Sequence, residues 1–453
     1  MSIARPRIAL VGMISVAALA APTTAHAHSL SALFESRLPL PVYLAGAATA
    51  VGLSFAFVLS NRVRAARPVI DPIASVPPAW LRSGLRGIGL AAWLWIAVQG
   101  LVGGGAADAE VTRLFLWVYG WVGLALVSAF IGPAWHWLDP FSTIHDLAAA
   151  TLRRLGVGGG SAAPYPARLG RWPAVAGFAA LVWLELVASG GGSRTLSILV
   201  LGYTAYTLAM MAQFGRDEWR ANGEIFSVWF RLLGRLARYT LADDGARIRR
   251  RPFLSGLLEP GWRVADIVLV ALATGSILFD GLSQTAIWVA TFGLPPALPQ
   301  TMLLATFLGL VIALALGVAR LMGLAATGAG LLPIAVGYLL GHYLTYLLVE
   351  GQRIVVALSD PLQLGWDLFG TAFFEPSAAW LPPTLVWIAQ FAAVVGGHMI
   401  GAWAGHVVAA WRLDARGERE LRRRQVPLAI VMVFLTTLTL WSLGQAIFKP
   451  PAS

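Results

Sequence analysis

GLLPIAVGYLLGHYLTYLLVE, residues 330–350, carries one formal charge in twenty-one positions, and that charge, Glu350, is the last of them. At about 1.5 Å of rise per residue, a helix of this length covers the roughly 30 Å hydrocarbon core of a bilayer. No water inside a bilayer can satisfy backbone N–H and C=O groups, so such a run is read as a membrane-spanning helix. Within it stands His342, an ionisable group that this medium makes costly and that therefore points to function.

Nine further stretches read the same way, at 41–60, 87–104, 113–132, 172–190, 196–214, 263–280, 300–322, 383–411 and 426–446. The chain as a whole agrees: of 453 residues 58% are hydrophobic and 12% charged, with a mean hydropathy of +0.71. The expected fold class is all-α, a polytopic transmembrane helical bundle of about ten spans. There is no cysteine, which excludes disulfides, thiolate metal sites, iron–sulfur clusters and a cysteine nucleophile.

The N-terminus reads as a secretory signal peptide, residues 1–27. Arg5 and Arg7 precede an apolar run from Ile8 to Ala20, and Ala25-His26-Ala27 forms a small-x-small cleavage site. Cleavage after Ala27 makes His28 the first residue of a single integral-membrane domain, 28–453. The alternative, an uncleaved signal anchor, is disfavoured by the shortness of the run.

With His28 outside, the basic residues test the topology. The inner loops hold 26 of the 33, and the outer segments hold only Arg37, Arg113, Arg194, Arg353 and Lys449. This asymmetry is the positive-inside pattern. The net charge of +11 is therefore topological, and no nucleic-acid partner is expected; the partners are the lipid bilayer and a lipophilic small molecule. The predicted location is a bacterial inner membrane, with both mature termini on the outer side.

Two extramembrane segments stand out. At 224–240, Phe226, Trp229, Phe230, Leu233 and Leu236 share one helical face while Arg231, Arg235 and Arg238 share another, the pattern of a helix lying on the inner membrane surface. At 352–382 the chain is too polar to span yet rich in aromatics, which predicts a re-entrant or surface-lying outer segment.

Ionisable residues within or beside the spans gather toward the outer side. Glu185, Asp280, Glu350, Asp360 and Asp367 supply carboxylates, and His342 and His398 fall near the middle of antiparallel spans, where similar depth is expected. Carboxylates and neutral imidazoles suit a divalent ion such as zinc, manganese or copper. The candidate metal ligands are His28, His342, His398 and Asp280; the candidate catalytic carboxylates are Asp360, Asp367 and Glu350. His406, eight residues beyond His398, points about 80° away from it around a helix and cannot share its ion. His136 and His145 lie on the inner side near a turn at Asp139-Pro140. No HExxH, GxSxG, P-loop or dinucleotide glycine pattern is present.

Several strings in order, "HSLSALFESRLPLPVYLAGAATAVGLSFAF", "IGPAWHWLDPFSTI", "LFDGLSQTAIW", "GHYLTYLLVEGQ", "LSDPLQLGWDLFGTA" and "GHMIGAWAGH", resemble the bacterial membrane family labelled fenitrothion hydrolase. The resemblance covers nearly all of the mature chain. It implies hydrolysis of an organophosphorus triester with release of a nitrophenol-type alcohol. The chain departs from the family pattern at Ser29, where glycine commonly stands, and at His136, Asp139 and His145, in a motif associated with Asn-Pro-Trp.

Such a reaction needs a hydroxide at neutral pH and a Lewis acid on the phosphoryl group, both of which a metal supplies. The expected site joins His342, His398 and an outer carboxylate, with Asp360 or Asp367 as general base. One alternative is an outward-facing copper protein in which the His28 amine and Nδ1 chelate the ion. Another is a transporter, with broken helices at "FGLPPALPQ" and near Asp360.

Overall fold

The computed structural model describes residues 45, 46, 49, 52, 74–103, 110–156, 162–188, 193–242, 245–413 and 418–443. The signal peptide, His28 and nearly all of the expected span at 41–60 lie outside the described residues.

The described chain is helical throughout, with three short strands. Seven helices are long and apolar enough to cross a membrane. In our numbering they are α1 (Ala79–Val102), α2 (Val111–Phe130), α6 (Ser193–Phe214), α9 (Val264–Ser283), α11 (Ala297–Met322), α12 (Leu324–Glu350) and α14 (Pro383–Leu413). Two more expected spans coincide with helices whose apolar stretches are shorter, α5 (Trp172–Leu186) and α15 (Glu418–Leu443). Between these run α3 (Trp135–Leu138), α4 (Pro140–Arg154), α7 (Arg216–Asn222), α8 (Ile225–Leu233), α10 (Ala286–Phe292) and α13 (Ile354–Ser359).

Helices α9 and α12 form the centre and are buried along most of their length, whereas α1, α6 and α11 keep much of theirs exposed. The exposed side chains of α11 are apolar, among them Leu298, Met302, Leu310, Leu314 and Leu321. An apolar outer face is what a lipid-contacting helix requires.

Helices α12 and α14 approach closely through glycines. A Cβ on Gly401 would stand 2.3 Å from the Gly330 carbonyl oxygen; one on Gly397 would stand 2.6 Å from that of Pro333, and one on Gly337 2.5 Å from that of Ala393. Backbones this close leave room only for hydrogen, the small-residue packing that drives helix association in lipid. Pro333 lies inside α12 without ending it.

Two expected elements differ in extent. The span at 330–350 is part of a helical path that continues through a 3₁₀ turn at Gly351–Arg353 and α13 to Ser359, so only the remainder of the 352–382 segment is irregular. The 224–240 helix is shorter, Ile225–Leu233, and its apolar face is turned to protein. Trp229 packs on Phe178 with ring centroids 5.2 Å apart, and Phe226 on Trp135 at 5.4 Å. Ile225, Val228, Trp229, Phe230, Leu232 and Leu233 are all buried, so the apolar face serves the protein core. Beyond α8, Tyr239–Leu241 joins Ala74–Ser75 and Ile248–Arg250 in a small antiparallel sheet with the 248–250 strand in the middle.

Candidate functional site

Asp280 lies near the C-terminal end of α9 and His342 in the second half of α12, and because these two helices run parallel the two side chains come level. His342 Nε2 is 2.9 Å from Asp280 Oδ2. The Tyr343 hydroxyl donates to the same oxygen at 3.0 Å, and Gln284, one turn beyond Asp280, donates to Oδ1 at 2.7 Å. Tyr343 also faces the Glu185 carboxylate from the end of α5. The side chains of His342 and Asp280 keep 20% and 16% of their surface exposed, so the pair borders open space without being surface-bound.

A neutral imidazole that donates from Nε2 to this carboxylate presents its Nδ1 as an acceptor. A histidine held by a carboxylate in this way has the geometry that base-and-orienter pairs use. Gly281 permits the approach: a Cβ there would meet Ser442 Oγ at 3.2 Å and the His342 ring at 3.7 Å.

An apolar groove of about 480 Å³ is lined by Trp288, Phe292, Met302, Leu303, Phe307 and Leu310; neither Asp280 nor His342 is among its lining residues. Phe279, the residue before Asp280, packs edge-on against Trp288 and tilted against Phe307, at 5.4 and 5.7 Å. The groove wall and the carboxylate are thus held by successive residues of one helix.

His398 goes elsewhere. It is fully buried, with Nδ1 2.8 Å from the Val394 carbonyl oxygen and Nε2 3.4 Å from the Tyr338 hydroxyl. Gly337 lies beside Gly397, so His342 is level with residues near 392, roughly 9 Å along the axis from His398. The glycine contacts set that register, and the similar depth expected of the two histidines is not found. His406 is buried as well.

The outer carboxylates hold structure together. Asp360 accepts the amides of Leu364 and Gly365 on its two oxygens, at 2.8 and 2.9 Å. Asp367 accepts from Ser359 Oγ and the Ala372 amide, at 2.8 and 2.9 Å, and these bonds keep its carboxyl below the usual range. Glu350 pairs with Arg353 at 2.6 Å. The loop they shape is tied to α1 where Trp95 and Gln99 donate to the Pro361 carbonyl, at 2.7 and 3.1 Å. Among the described residues no three of His, Asp and Glu gather around a place for an ion.

The expected turn at Asp139-Pro140 is the start of α4: Asp139 caps it, accepting the amides of Phe141 and Ser142. His136 lies against Arg220, its Nδ1 3.1 Å from Nη2. Burial, with Arg220 and Arg216 close by, pushes the His136 ring down to about 4. His145 lies beside Asp146, which Arg86 and Arg216 hold below the usual carboxylate range against the opposing effect of its burial.

Reading the sequence alone missed Tyr343, Gln284 and Tyr338. The first two carry a local signal, since Tyr343 follows His342 and Gln284 is four residues, one helical turn, beyond Asp280. Set against known proteins, the chain matches no family model, no curated protein and no solved structure.

Proposed function

We propose that this chain is a multi-pass inner-membrane hydrolase acting on lipophilic organophosphorus triesters, with His342 as general base and Asp280 as its orienting carboxylate. The observation that carries the proposal is the 2.9 Å contact between His342 Nε2 and Asp280 Oδ2; the residue before Asp280, Phe279, packs on two of the groove's lining residues, Trp288 and Phe307. In this mechanism His342 Nδ1 takes a proton from water, the hydroxide attacks phosphorus, and the P–O bond to the aryl group breaks. The protonated ring then returns its proton to the departing aryloxide, so triester and water become diester and phenol.

The groove suits such a substrate because it is apolar and opens among helices with apolar outer faces, so a lipophilic ester can approach from the bilayer. The same proposal includes the signal peptide at 1–27, a first span at 41–60, ten spans in all and both mature termini outside, which the basic-residue asymmetry supports. A zinc, manganese or copper ion would need ligands beyond His342 and Asp280, and the steps above are written from the chain's own residues.

The test is release of nitrophenolate from a p-nitrophenyl phosphotriester by the purified full chain, with metal content measured alongside. Turnover is expected in the wild type and its loss in His342→Gln. An inert wild type beside an active control hydrolase, or equal rates for wild type and His342→Gln, overturns the reading.

A second reading, proton-coupled transport, is favoured by one observation: Tyr343 stands between Asp280 and Glu185, two carboxylates facing each other inside the bundle. Such chains of groups suit proton relays. It predicts substrate-driven proton uptake in proteoliposomes, lost in Glu185→Gln, with no ester cleavage.

A further inference from the structure

At the opposite end of the bundle from Asp280, about 25 Å along α9 at 1.5 Å per residue, four guanidinium groups converge. Arg171 and Arg263 occupy the N-cap positions of α5 and α9. Arg220 and Arg231 come from α7 and α8, the helices beneath them. The C-terminal end of α7 ties the group together: Arg231 Nη2 donates to the Ala221 carbonyl, and Arg263 Nη1 donates to Asn222 Oδ1 at 3.0 Å.

Among the described residues two carboxylates pair directly with these cations, Asp217 lies near Arg220, and Arg220 Nη2 also meets His136. Asp266 takes Arg171 at 2.5 Å and caps α9 by accepting the Arg263 amide, and Asp139 takes Arg220 at 3.1 Å. Both acids are buried and already engaged. Arg171 Nε is buried with no hydrogen-bond partner among the described residues. Arg231 has protein close around its guanidinium yet remains exposed to solvent. Burial, together with Arg171, Arg220 and Arg263, pushes its guanidinium down to about 10.

This arrangement has the wrong sign for a helix end. A helix N-terminus carries a partial positive charge and favours anions, and α5 has no acidic residue in its first turn while Arg171 sits on its cap. Positive-inside arginines need only lie on the inner side; spread apart in water they cost nothing, and nothing in topology requires them to meet. Convergence of like charges at two helix N-termini is favourable when an anion with several acceptor oxygens completes it.

We propose that Arg171, Arg220, Arg231 and Arg263 form a binding site for a phosphate group, presented either by an anionic phospholipid headgroup or by a free phosphate. The site lies where spans α5 and α9 begin, at headgroup level, within reach of both sources. It is separate from the Asp280–His342 pair, and ester turnover plays no part in its test.

The experiment uses the delipidated full chain in detergent and native mass spectrometry, with phosphatidylglycerol, phosphatidylcholine and inorganic phosphate as probes. Saturable binding is expected for phosphatidylglycerol or for inorganic phosphate, well above phosphatidylcholine. Arg231→Gln should weaken it at least about fivefold, the order expected for a charge-assisted contact. Arg320→Gln, at the last turn of α11 on the same side, should leave it unchanged. Binding of phosphatidylglycerol without phosphate assigns a lipid headgroup; binding of phosphate assigns a soluble anion. Should Arg231→Gln fail to fold, Arg263→Gln reads the same effect, since its exposed side chain donates, among the described residues, to Asn222. The proposal is overturned if neither probe exceeds phosphatidylcholine, if both arginine variants bind as the wild type does, or if Arg320→Gln weakens binding equally.

Discussion

His342 Nε2 lies 2.9 Å from Asp280 Oδ2, joining α12 to α9 within the membrane-spanning part of the bundle. The carboxylate is shared with Tyr343 and Gln284, so it is fully engaged and fixes the ring's orientation. A residue positioned this way works as part of a unit, and that makes its contribution measurable.

Asp280→Asn should lower kcat for phosphotriester hydrolysis by about 10²–10⁴, the range for loss of general-base catalysis, with KM little changed. His342→Gln should lose a similar amount. The double variant should be no worse than either single one, because members of a catalytic unit are strongly non-additive. Initial rates of nitrophenolate release check this, and a double-variant loss equal to the product of the two single losses would show that the residues act independently.

His398→Phe should leave that activity, and the metal content, unchanged. Its effect belongs to stability: deleting the ring nitrogens removes two buried hydrogen bonds, to the Tyr338 hydroxyl and the Val394 carbonyl, at a cost of about 0.5–1.5 kcal/mol each. Thermal unfolding in detergent would register the drop. A collapse of turnover without loss of stability would return His398 to the reactive site.

The glycine seam predicts a contrast between close neighbours. Gly401→Ala puts a methyl 2.3 Å from a backbone oxygen, whereas Gly396→Ala meets nothing within 4 Å. The first should destabilise by about 1–3 kcal/mol through overpacking. The second should be neutral or slightly stabilising, because alanine is the better helix former by about 1 kcal/mol. Unfolding midpoints of the two variants measured side by side decide it.

Acid should destabilise the chain partly through His136. Its ring titrates near 4 in the folded chain against an ordinary value of 6.5, because it is buried and faces Arg220 and Arg216. Between those values the unfolded chain takes up a proton that the folded chain refuses, so stability is full above about 6.5 and is lost as pH falls toward 4. Unfolding midpoints at several pH values should fall over that window in the wild type and fall less in His136→Gln. Identical slopes for the two proteins would refute the assignment.

Asp360→Asn should keep turnover within about threefold, far from the loss that removing a general base produces. Asp360→Ala should instead loosen the 360–372 loop, since the amides of Leu364 and Gly365 lose their acceptor. Limited proteolysis of the two variants separates these effects.

The membrane character of this protein is legible in residues such as 330–350 because the constraint is local. A bilayer satisfies no backbone hydrogen bond, so any long apolar run must close its bonds within itself as a helix, whatever its neighbours do. The same holds for Asp139-Pro140, where a short side chain before proline caps the helix that follows, and for the special status of Asp280 and His342, whose burial in an apolar run is costly wherever they point. Partnership is not local. Asp280 and His342 are 62 positions apart in the chain, and Gly401 and Gly397 decide, by how closely they let two helices approach, that His342 is level with residues near 392 and that His398 meets Tyr338. The apolar face of 224–240 gave the right amphipathic pattern, but whether such a face lies on lipid or on Phe178 and Trp135 depends on what the rest of the fold offers it. Hydrophobic periodicity specifies that a surface must be covered; only tertiary packing specifies by what, and it was packing that drew Arg171, Arg220, Arg231 and Arg263 from four separate helix ends to one place.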